Sequence, residues 1–221
     1  LGLNKKELIE FALDVEKNKN FSIRFKGINI SMSSGTSGNK GIVITTKQEE
    51  KYLKAMYASR LVLPKGERLN CAFILRINLP AFNYNKMGNK LTYISQLQNM
   101  EVIIKQLEKI NPNVISAPPS MLKLLAKEYI KGNLNIKPKI LYSYAEVLYT
   151  DVKNYLQQVF QCEIHQVYQG SEGSYAMTCK YGNLHINEDI VFLELLDRDG
   201  SPTQDGNPCY KLLVTDLHKR S

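Results

Sequence analysis

Residues 101–168 read EVIIKQLEKINPNVISAPPSMLKLLAKEYIKGNLNIKPKILYSYAEVLYTDVKNYLQQVFQCEIHQVY, and the fold class follows from this stretch. Apolar residues recur there at helical spacing three times, and a short apolar run typical of a buried strand follows each time. Alternating helices and strands with short connections indicate a parallel, doubly wound sheet. The predicted pairs are helix 101–110 with strand 113–116, helix 120–130 with strand 139–143, and helix 150–160 with strand 163–168.

The sequence on either side extends this pattern. Before it, we predict helices at 5–17 and 47–61, strands at 28–32, 42–45 and 69–75, and an irregular loop at 76–90. After it, short β runs begin at Ser174 and are separated by Asp-Gly turn signals at 199–200 and 205–206. The sequence therefore predicts an α/β fold, with a doubly wound, mostly parallel sheet and helices on both faces, followed by a small antiparallel β subdomain. We place the domain boundary between a core of residues 1–173 and a β subdomain of residues 174–221.

Composition excludes several classes of protein. The chain has 221 residues, of which 43% are apolar and 23% charged, which is typical of a folded globular protein and not of a disordered or fibrous one. No apolar stretch approaches the ~20 residues that span a bilayer, so we expect no membrane span. The four cysteines form no Cys-x-x-Cys pair, which argues against a zinc knuckle and predicts buried thiols in a cytoplasmic protein.

The net charge of +8 is concentrated in the first 130 residues. A basic surface of this kind could attract nucleic acid or an anionic cofactor. The lysines, however, recur at helical intervals and are mostly interspersed with glutamates, a pattern typical of solvated helix faces. Nucleic acid is therefore the weakest of the partners considered, and we expect none.

A glycine-rich and hydroxyl-rich segment, Ser33-Ser34-Gly35-Thr36-Ser37-Gly38-Asn39-Lys40-Gly41, lies between two predicted strands. Its glycines allow backbone N–H groups to line a concave surface, its hydroxyls can donate to phosphate oxygens, and Lys40 adds positive charge. It is not a Walker A sequence, because the required spacing and the following helix are absent. From chemistry alone, an exposed Gly/Ser hairpin explains the segment equally well.

The order of residues in this segment is more specific than its composition. It resembles the phosphate-loop signature of the adenylate-forming superfamily, usually Ser/Thr-Ser-Gly-Thr-Thr-Gly-x-Pro-Lys-Gly. This superfamily comprises acyl-CoA synthetases, nonribosomal peptide adenylation domains and luciferases. One residue is missing here, and the usual proline before the lysine is absent. The resemblance implies that ATP is bound by Ser34, Gly35, Thr36, Ser37, Gly38 and Lys40.

A second segment, Tyr168-Gln169-Gly170-Ser171-Glu172-Gly173, resembles the Tyr-Gly-x-Thr-Glu motif of the same superfamily. The resemblance implies that Tyr168 packs against adenine, that Gln169 and Gly170 line the nucleotide site, and that Ser171 contacts the α-phosphate. It also implies that Glu172 binds Mg²⁺, and a carboxylate in a glycine-flanked turn is a suitable ligand for a hard cation. Lys40, Ser171 and Glu172 are the implied catalytic residues.

Two more segments fit the superfamily. Tyr142-Ser143-Tyr144-Ala145-Glu146-Val147-Leu148 resembles the Gly-Gly-Glu-x-Leu segment, which implies that Ala145 and Glu146 line the nucleotide site. Leu213-Val214-Thr215-Asp216-Leu217 resembles the Thr-Gly-Asp-Leu motif, which implies that Asp216 binds the ribose hydroxyls. Four motifs in the expected order make a chance match improbable.

The variants of these motifs look most like the phenylacetate-CoA ligase-like branch. The resemblance implies a cytoplasmic ligase that uses ATP and Mg²⁺ to adenylate a small carboxylic acid and then transfers the acyl group to a thiol such as coenzyme A. The motif positions further imply a fragment of the large N-terminal domain, cut before the mobile C-terminal domain and inactive alone. The alternative left open is a nucleotide-binding pseudoenzyme or regulatory module without ligase turnover.

Overall fold

Helices and strands alternate along the chain in the computed structural model, which describes residues 4–18, 23–32, 41–76, 84–170 and 173–218. The helices are α1 (Lys5–Asn18), α2 (Lys47–Arg60), α3 (Met100–Ile110), α4 (Pro119–Ile130) and α5 (Thr150–Phe160). The strands are β1 (Asn29–Met32), β2 (Ile42–Thr45), β3 (Asn70–Leu75), β4 (Tyr84–Lys86), β5 (Asn89–Ser95), β6 (Val114–Ala117), β7 (Ile140–Ser143), β8 (Glu163–Gly170), β9 (Gly173–Thr178), β10 (Leu184–Ile186), β11 (Val191–Leu196) and β12 (Lys211–Asp216). Within these ranges no helix is long and apolar enough to cross a membrane.

An eight-stranded sheet organises the fold, in the order β10-β9-β8-β7-β6-β3-β5-β4. The five central strands, from β8 to β5, are parallel, whereas β4, β9 and β10 pair antiparallel to their neighbours. The predicted mostly parallel sheet is therefore confirmed. Its parallel strands end at a common edge, where the connections to α4 and α5 begin.

Each central strand sends alternate side chains to opposite faces, as the two-residue period of a strand requires. On one face, Ile74, Ile115 and Leu141 pack in a core cluster with residues of α3, α4 and α5. On the other face, Cys71, Val114 and Tyr142 pack with Met56 of α2 and Val191 of β11. Helices thus cover both faces, as predicted.

Helix α2 begins where the sequence provides a strong start signal. The Thr46 side chain accepts a hydrogen bond from the Glu49 backbone N–H at 3.2 Å, and the Glu49 carboxylate accepts one from the Thr46 N–H at 2.7 Å. This reciprocal capping box satisfies two backbone donors that the first turn of a helix leaves unpaired. The start of α2 is therefore fixed directly after β2.

The predicted loop at 76–90 is wrong over its described C-terminal part. Residues 84–95 form the hairpin of β4 and β5, turning at Met87 and Gly88, whose φ angles are 54° and 79°. Strand β5, which the sequence analysis did not predict, then pairs in parallel with β3. Most of its side chains are only half-buried, so the apolar signal is weak and the strand is defined by pairing with a distant segment.

The C-terminal strands fall into two groups. Strands β9 and β10 extend the main sheet beyond β8, whereas β11 and β12 form a separate two-stranded sheet, pairing from Val191 with Asp216 to Leu196 with Lys211. A break in sheet pairing thus follows β10, later than the predicted boundary at 173. The division into two domains stays a prediction.

Candidate nucleotide-binding site

Two of the four motifs lie at the carboxyl ends of neighbouring parallel strands, at the same edge of the sheet. Strand β7 ends at Ser143, which pairs with Gln166 of β8. Ala145 and Tyr168 each come two residues further along, so they lie at the same level, Ala145 beyond the end of β7 and Tyr168 within the last residues of β8. Ligands of open α/β sheets bind at this carboxyl edge.

Tyr144 anchors the segment that follows β7. Its side chain is buried, with 3% of its surface exposed, and its ring stacks on Phe73 with centroids 5.0 Å apart and planes 4° apart. The hydroxyl donates a hydrogen bond to the backbone oxygen of Ile74 at 2.5 Å. Burial raises the pKa of this phenol, so it stays a neutral donor. The contacts of Tyr144 therefore fix the position at which the segment after β7 leaves the sheet.

The next two residues have different surroundings. Ala145 has a φ of 66°, a left-handed conformation that costs a non-glycine residue roughly 1 kcal/mol or more. The Glu146 carboxylate accepts hydrogen bonds from Ser120, from its backbone N–H at 3.0 Å and its hydroxyl at 2.7 Å. An acceptor at this position satisfies backbone donors at the start of α4. The Glu146 side chain is thus engaged in capping α4, and the Ala145 backbone is the part of the segment suited to contact a ligand.

Tyr168 offers an aromatic surface near the end of β8. Its side chain is 46% exposed, and its ring contacts the ring of Tyr175 edge-to-face at 5.2 Å. The pairing of β8 with β9 shifts by one residue between Tyr168 and Gln169 and resumes with Gln169 opposite Ser174, followed by Gly170 opposite Gly173. An exposed ring supported by a second ring is suited to stack on a planar base. Ser171 and Glu172, which connect the two glycines, lie outside the described residues.

Asp216 is the last residue of β12 and lies beside the hairpin formed by β8 and β9. Its Oδ1 atom accepts a hydrogen bond from the His218 backbone N–H at 2.8 Å. Its Oδ2 atom would lie 3.3 Å from a Cβ atom built on Gly173. Glycine at 173 therefore permits the close approach of this carboxylate, and the structure brings Asp216 against the Tyr168–Gly173 motif.

Residues 33–40 of the phosphate-loop motif lie outside the described residues, and they include Ser34, Gly35, Thr36, Ser37, Gly38 and Lys40. The strands at its two ends are described. Met32 of β1 pairs with Ile42 of β2, so the segment connects the strands of an antiparallel hairpin. Helix α1 packs on this hairpin through a small core of Leu8, Ala12 and Ile30.

Sequence reasoning missed the contacts that α2 makes with the motif-bearing elements. The Tyr57 hydroxyl donates a hydrogen bond to Oε1 of Gln169 at 2.8 Å. Tyr52 packs against His218, with ring centroids 4.2 Å apart, planes tilted by 31° and the hydroxyl 2.9 Å from Nε2. No local pattern could have revealed these pairs, because their members are 112 and 166 residues apart in the sequence.

The cysteines are free, and they differ in their surroundings. Burial raises the pKa of the Cys71 thiol to about 12 and that of Cys162 to about 12. The backbone N–H of Tyr181 donates to the sulfur of Cys179 at 3.4 Å and lowers the pKa of that thiol. The predicted burial is thus confirmed for Cys71, whereas the other three are half-buried.

We expect iodoacetamide at pH 8 to label Cys179 in the folded protein well before Cys71 or Cys162, because the thiolate is the reactive form. Peptide mass spectrometry after timed quenching measures the three rates. In urea the difference should disappear, which serves as the control. Equal labelling of Cys71 and Cys179 in the folded protein would contradict this assignment.

Comparisons by sequence find a distant relative. No protein-family profile matches the chain. Protein CapK of Staphylococcus aureus is 25% identical over 143 residues, a match that covers 62% of this chain and 30% of CapK.

Comparisons of structure find many neighbours. A 2-hydroxyisobutyryl-CoA ligase, solved with 2-HIB-AMP and CoA, superposes with a TM-score of 0.68 at 12% identity, covering 97% of this chain and 50% of that one. The N-terminal subdomain of NpsA from Klebsiella oxytoca, solved with 3-hydroxyanthranilyl-AMSN, gives a TM-score of 0.54 at 15% identity over 85% of this chain and 49% of that one. A benzoate CoA ligase from Burkholderia xenovorans gives 0.57 at 16% identity over 82% and 41%.

The fold is therefore that of the adenylate-forming acyl-CoA ligases and adenylation domains, as the motifs predict. The chain spans about half the length of the first two of these structures and 30% of CapK.

Proposed function

We propose that this chain is part of an ATP-dependent ligase of the phenylacetate-CoA ligase-like branch, which joins a small carboxylic acid to AMP. The observation that carries the proposal is the approach of the Asp216 carboxylate to Gly173. Two segments far apart in the sequence, each matched to a nucleotide motif, meet beside the carboxyl edge of a parallel sheet. That edge is where nucleotides bind in open α/β folds.

We propose different residues for the adenine, the ribose and the phosphates of ATP. Tyr168 would stack on adenine across from the Ala145 backbone, and Asp216 would accept hydrogen bonds from the ribose hydroxyls. Ser171 would contact the α-phosphate. The remaining phosphates would be bound by the phosphate loop, through Ser34, Gly35, Thr36, Ser37, Gly38 and Lys40, with Gln169 and Gly170 beside them.

The proposed reaction requires positioning and charge neutralisation more than covalent chemistry by the protein. An oxygen of the substrate carboxylate attacks the α-phosphorus of ATP, the bond from that phosphorus to the bridging oxygen breaks, and pyrophosphate leaves. A thiol such as coenzyme A then attacks the acyl carbonyl, and AMP departs. Lys40 and the loop N–H groups would offset the negative charge that the phosphates carry.

Glu172, in the segment that connects Gly170 and Gly173, has the chemistry of a Mg²⁺ ligand. This ion is usually held by one or two carboxylates together with substrate phosphates, so Glu172 and ATP are a sufficient donor set. In the ranges that the structure describes, no group of three or more His, Cys, Asp or Glu side chains could hold a metal by itself. When bound, Mg²⁺ neutralises phosphate charge, and Glu172 would orient it.

Release of AMP tests the proposal. The longest native polypeptide that contains this chain is incubated with ATP, Mg²⁺, hydroxylamine and a panel of carboxylic acids that includes phenylacetate, benzoate and 2-hydroxyisobutyrate. We expect AMP and the matching hydroxamate in equal amounts for at least one acid, whereas the 221-residue chain binds ATP but turns over little. Absence of ATP binding by both proteins would refute the proposal.

A nucleotide-binding protein without turnover is the second candidate. The motifs depart from the superfamily at several positions: for example, no proline precedes Lys40, Gln169 replaces a glycine, and Val214-Thr215 stands where Thr-Gly is usual before Asp216. ATP binding by the longer polypeptide without AMP from any acid in the panel would favour this candidate.

A further inference from the structure

We propose that Tyr175 is a positioning residue that holds the ring of Tyr168 in the orientation in which it would stack on the adenine base. The inference rests on the proposed function, because Tyr168 belongs to the proposed nucleotide site. It adds to that site a residue of β9 that none of the four motifs contains.

The ring of Tyr168 needs support because of its place in the fold. Tyr168 is the third residue from the end of β8, its side chain is 46% exposed, and the pairing with β9 shifts directly after it. The neighbouring residues hold its backbone, since Val167 pairs with Met177 in the core and the Gln169 side chain accepts a hydrogen bond from Tyr57 at 2.8 Å. The orientation of the ring about its side-chain bonds is then set by what the ring touches.

The ring of Tyr175 provides such a contact. The two ring centroids lie 5.2 Å apart and the ring planes are inclined by 76°, which is the edge-to-face arrangement that aromatic pairs prefer. A pair of this kind favours the side-chain orientation that makes it by roughly twofold to tenfold over orientations that lose it. Tyr175 thus restricts the Tyr168 ring before any ligand arrives.

Tyr175 is itself firmly held. Its side chain is 6% exposed and packs in the same core cluster as Met177. Its backbone oxygen accepts a hydrogen bond from the N–H of Asn187 at 2.7 Å. Asn187 is buried in turn, and its Nδ2 atom donates to the backbone oxygen of Ser174 at 3.0 Å. Tyr175 is therefore a fixed support for the more exposed ring.

A ring that is held in advance binds a planar base more tightly than a ring that binding must order. Association has to overcome the loss of side-chain rotation, and this cost is smaller when the free protein already restricts the side chain. Because Tyr175 is buried, it would act on the base through Tyr168. Removal of the Tyr175 ring should therefore weaken nucleotide binding only while the Tyr168 ring is present.

Titration calorimetry with AMP tests this dependence in three variants: Tyr175→Leu, Tyr168→Ala and their combination. We expect AMP affinity to fall about fivefold in Tyr175→Leu, and at least as much in Tyr168→Ala. Adding Tyr175→Leu to Tyr168→Ala should change the affinity by less than about twofold, because both changes act through one ring. Tyr175→Phe keeps the supporting ring and should bind AMP within about twofold of the unchanged protein.

Tyr129→Leu is the matched control. Tyr129, in the last turn of α4, contacts Phe160 at the end of α5 with centroids that are also 5.2 Å apart. Both residues line a cavity with Lys139 and Glu163, at the amino ends of β7 and β8, so this aromatic pair lies at the edge opposite the proposed site. The change should leave AMP affinity unaltered. Circular dichroism checks that every variant is folded, and Tyr175→Met replaces Tyr175→Leu in the cycle if the latter is not.

The possible results separate this inference from the proposed function. Unchanged AMP affinity in Tyr175→Leu would overturn the inference, and so would a loss in the double variant equal to the sum of the two single losses in binding free energy. Both results leave the proposed function intact, provided that Tyr168→Ala weakens AMP binding. If the unchanged protein does not bind AMP, or if Tyr168→Ala binds it equally well, the proposed role of Tyr168 fails and the inference fails with it.

Discussion

Tyr144→Ala should lower the free energy of unfolding by about 3–5 kcal/mol, the usual cost of truncating a large buried aromatic side chain. The ring is buried and stacks on Phe73, and its hydroxyl binds the backbone of β3 at Ile74. Truncation would leave a cavity between β3 and the segment after β7. Urea denaturation followed by circular dichroism measures the change.

Two control variants separate the contributions to this effect. Tyr144→Phe keeps the ring and should cost only about 1 kcal/mol, because it removes one hydrogen bond. Tyr149→Ala changes a side chain that is 66% exposed five residues later, and should stay within about 0.5 kcal/mol of the unchanged protein. A loss below about 1 kcal/mol for Tyr144→Ala would show that this ring is not part of the core.

The elements that the sequence predicted correctly are those whose helix or strand pattern lies within a short stretch of residues. The three helix-strand units were found because apolar spacing within about ten residues distinguishes helix from strand. Helix α5 begins and ends where expected. Strand β5 was missed because its half-buried residues carry little apolar pattern and its pairing partner, β3, precedes it by about twenty residues.

In the candidate site, too, local motifs could be predicted from the sequence, whereas contacts between distant segments could not. The motifs named Tyr168 and Asp216, but their sequence positions do not reveal that the Asp216 carboxylate lies against Gly173. Glu146 matched a nucleotide motif, yet its carboxylate binds Ser120 at the start of α4. Which atoms a side chain contacts depends on the fold, and this information is spread over the whole chain.

Helix α2 contributes a second set of contacts near Asp216. Nε2 of His218 lies 2.8 Å from the backbone oxygen of Asp189, and Arg60 forms an ion pair with the Asp189 carboxylate at 2.5 Å. The hydrogen bond from Arg60 lowers the pKa of Asp189, so the pair persists at neutral pH. These contacts join α2 to the residues that follow β12, whereas Tyr57 joins the same helix to the β8–β9 hairpin. Helix α2 thus makes contacts with both the β8–β9 hairpin and the end of β12, the two elements that carry proposed adenosine-binding residues.

Glu172→Gln should abolish the Mg²⁺-dependent part of ATP binding. The substitution keeps the size of the side chain and removes its charge, and a neutral amide is a much weaker ligand for a hard cation than a carboxylate. We expect ATP affinity in excess Mg²⁺ to fall at least tenfold, to the value that the unchanged protein shows in EDTA. Titration calorimetry in Mg²⁺ and in EDTA measures both affinities.

The matched control for this experiment is Glu188→Gln, which removes the same charge from an exposed residue outside the four motifs. It should leave both affinities unchanged, so a general change in net charge cannot explain the result. If Glu172→Gln binds ATP equally well with and without Mg²⁺, and as tightly as the unchanged protein, the metal role of Glu172 is refuted. The roles of Asp216 and Tyr168 would survive that result, because they concern the nucleoside and not the phosphates. If Glu172→Gln lowers ATP affinity by the same factor in EDTA as in Mg²⁺, the role of Glu172 is structural, since an effect without the metal cannot come from coordination.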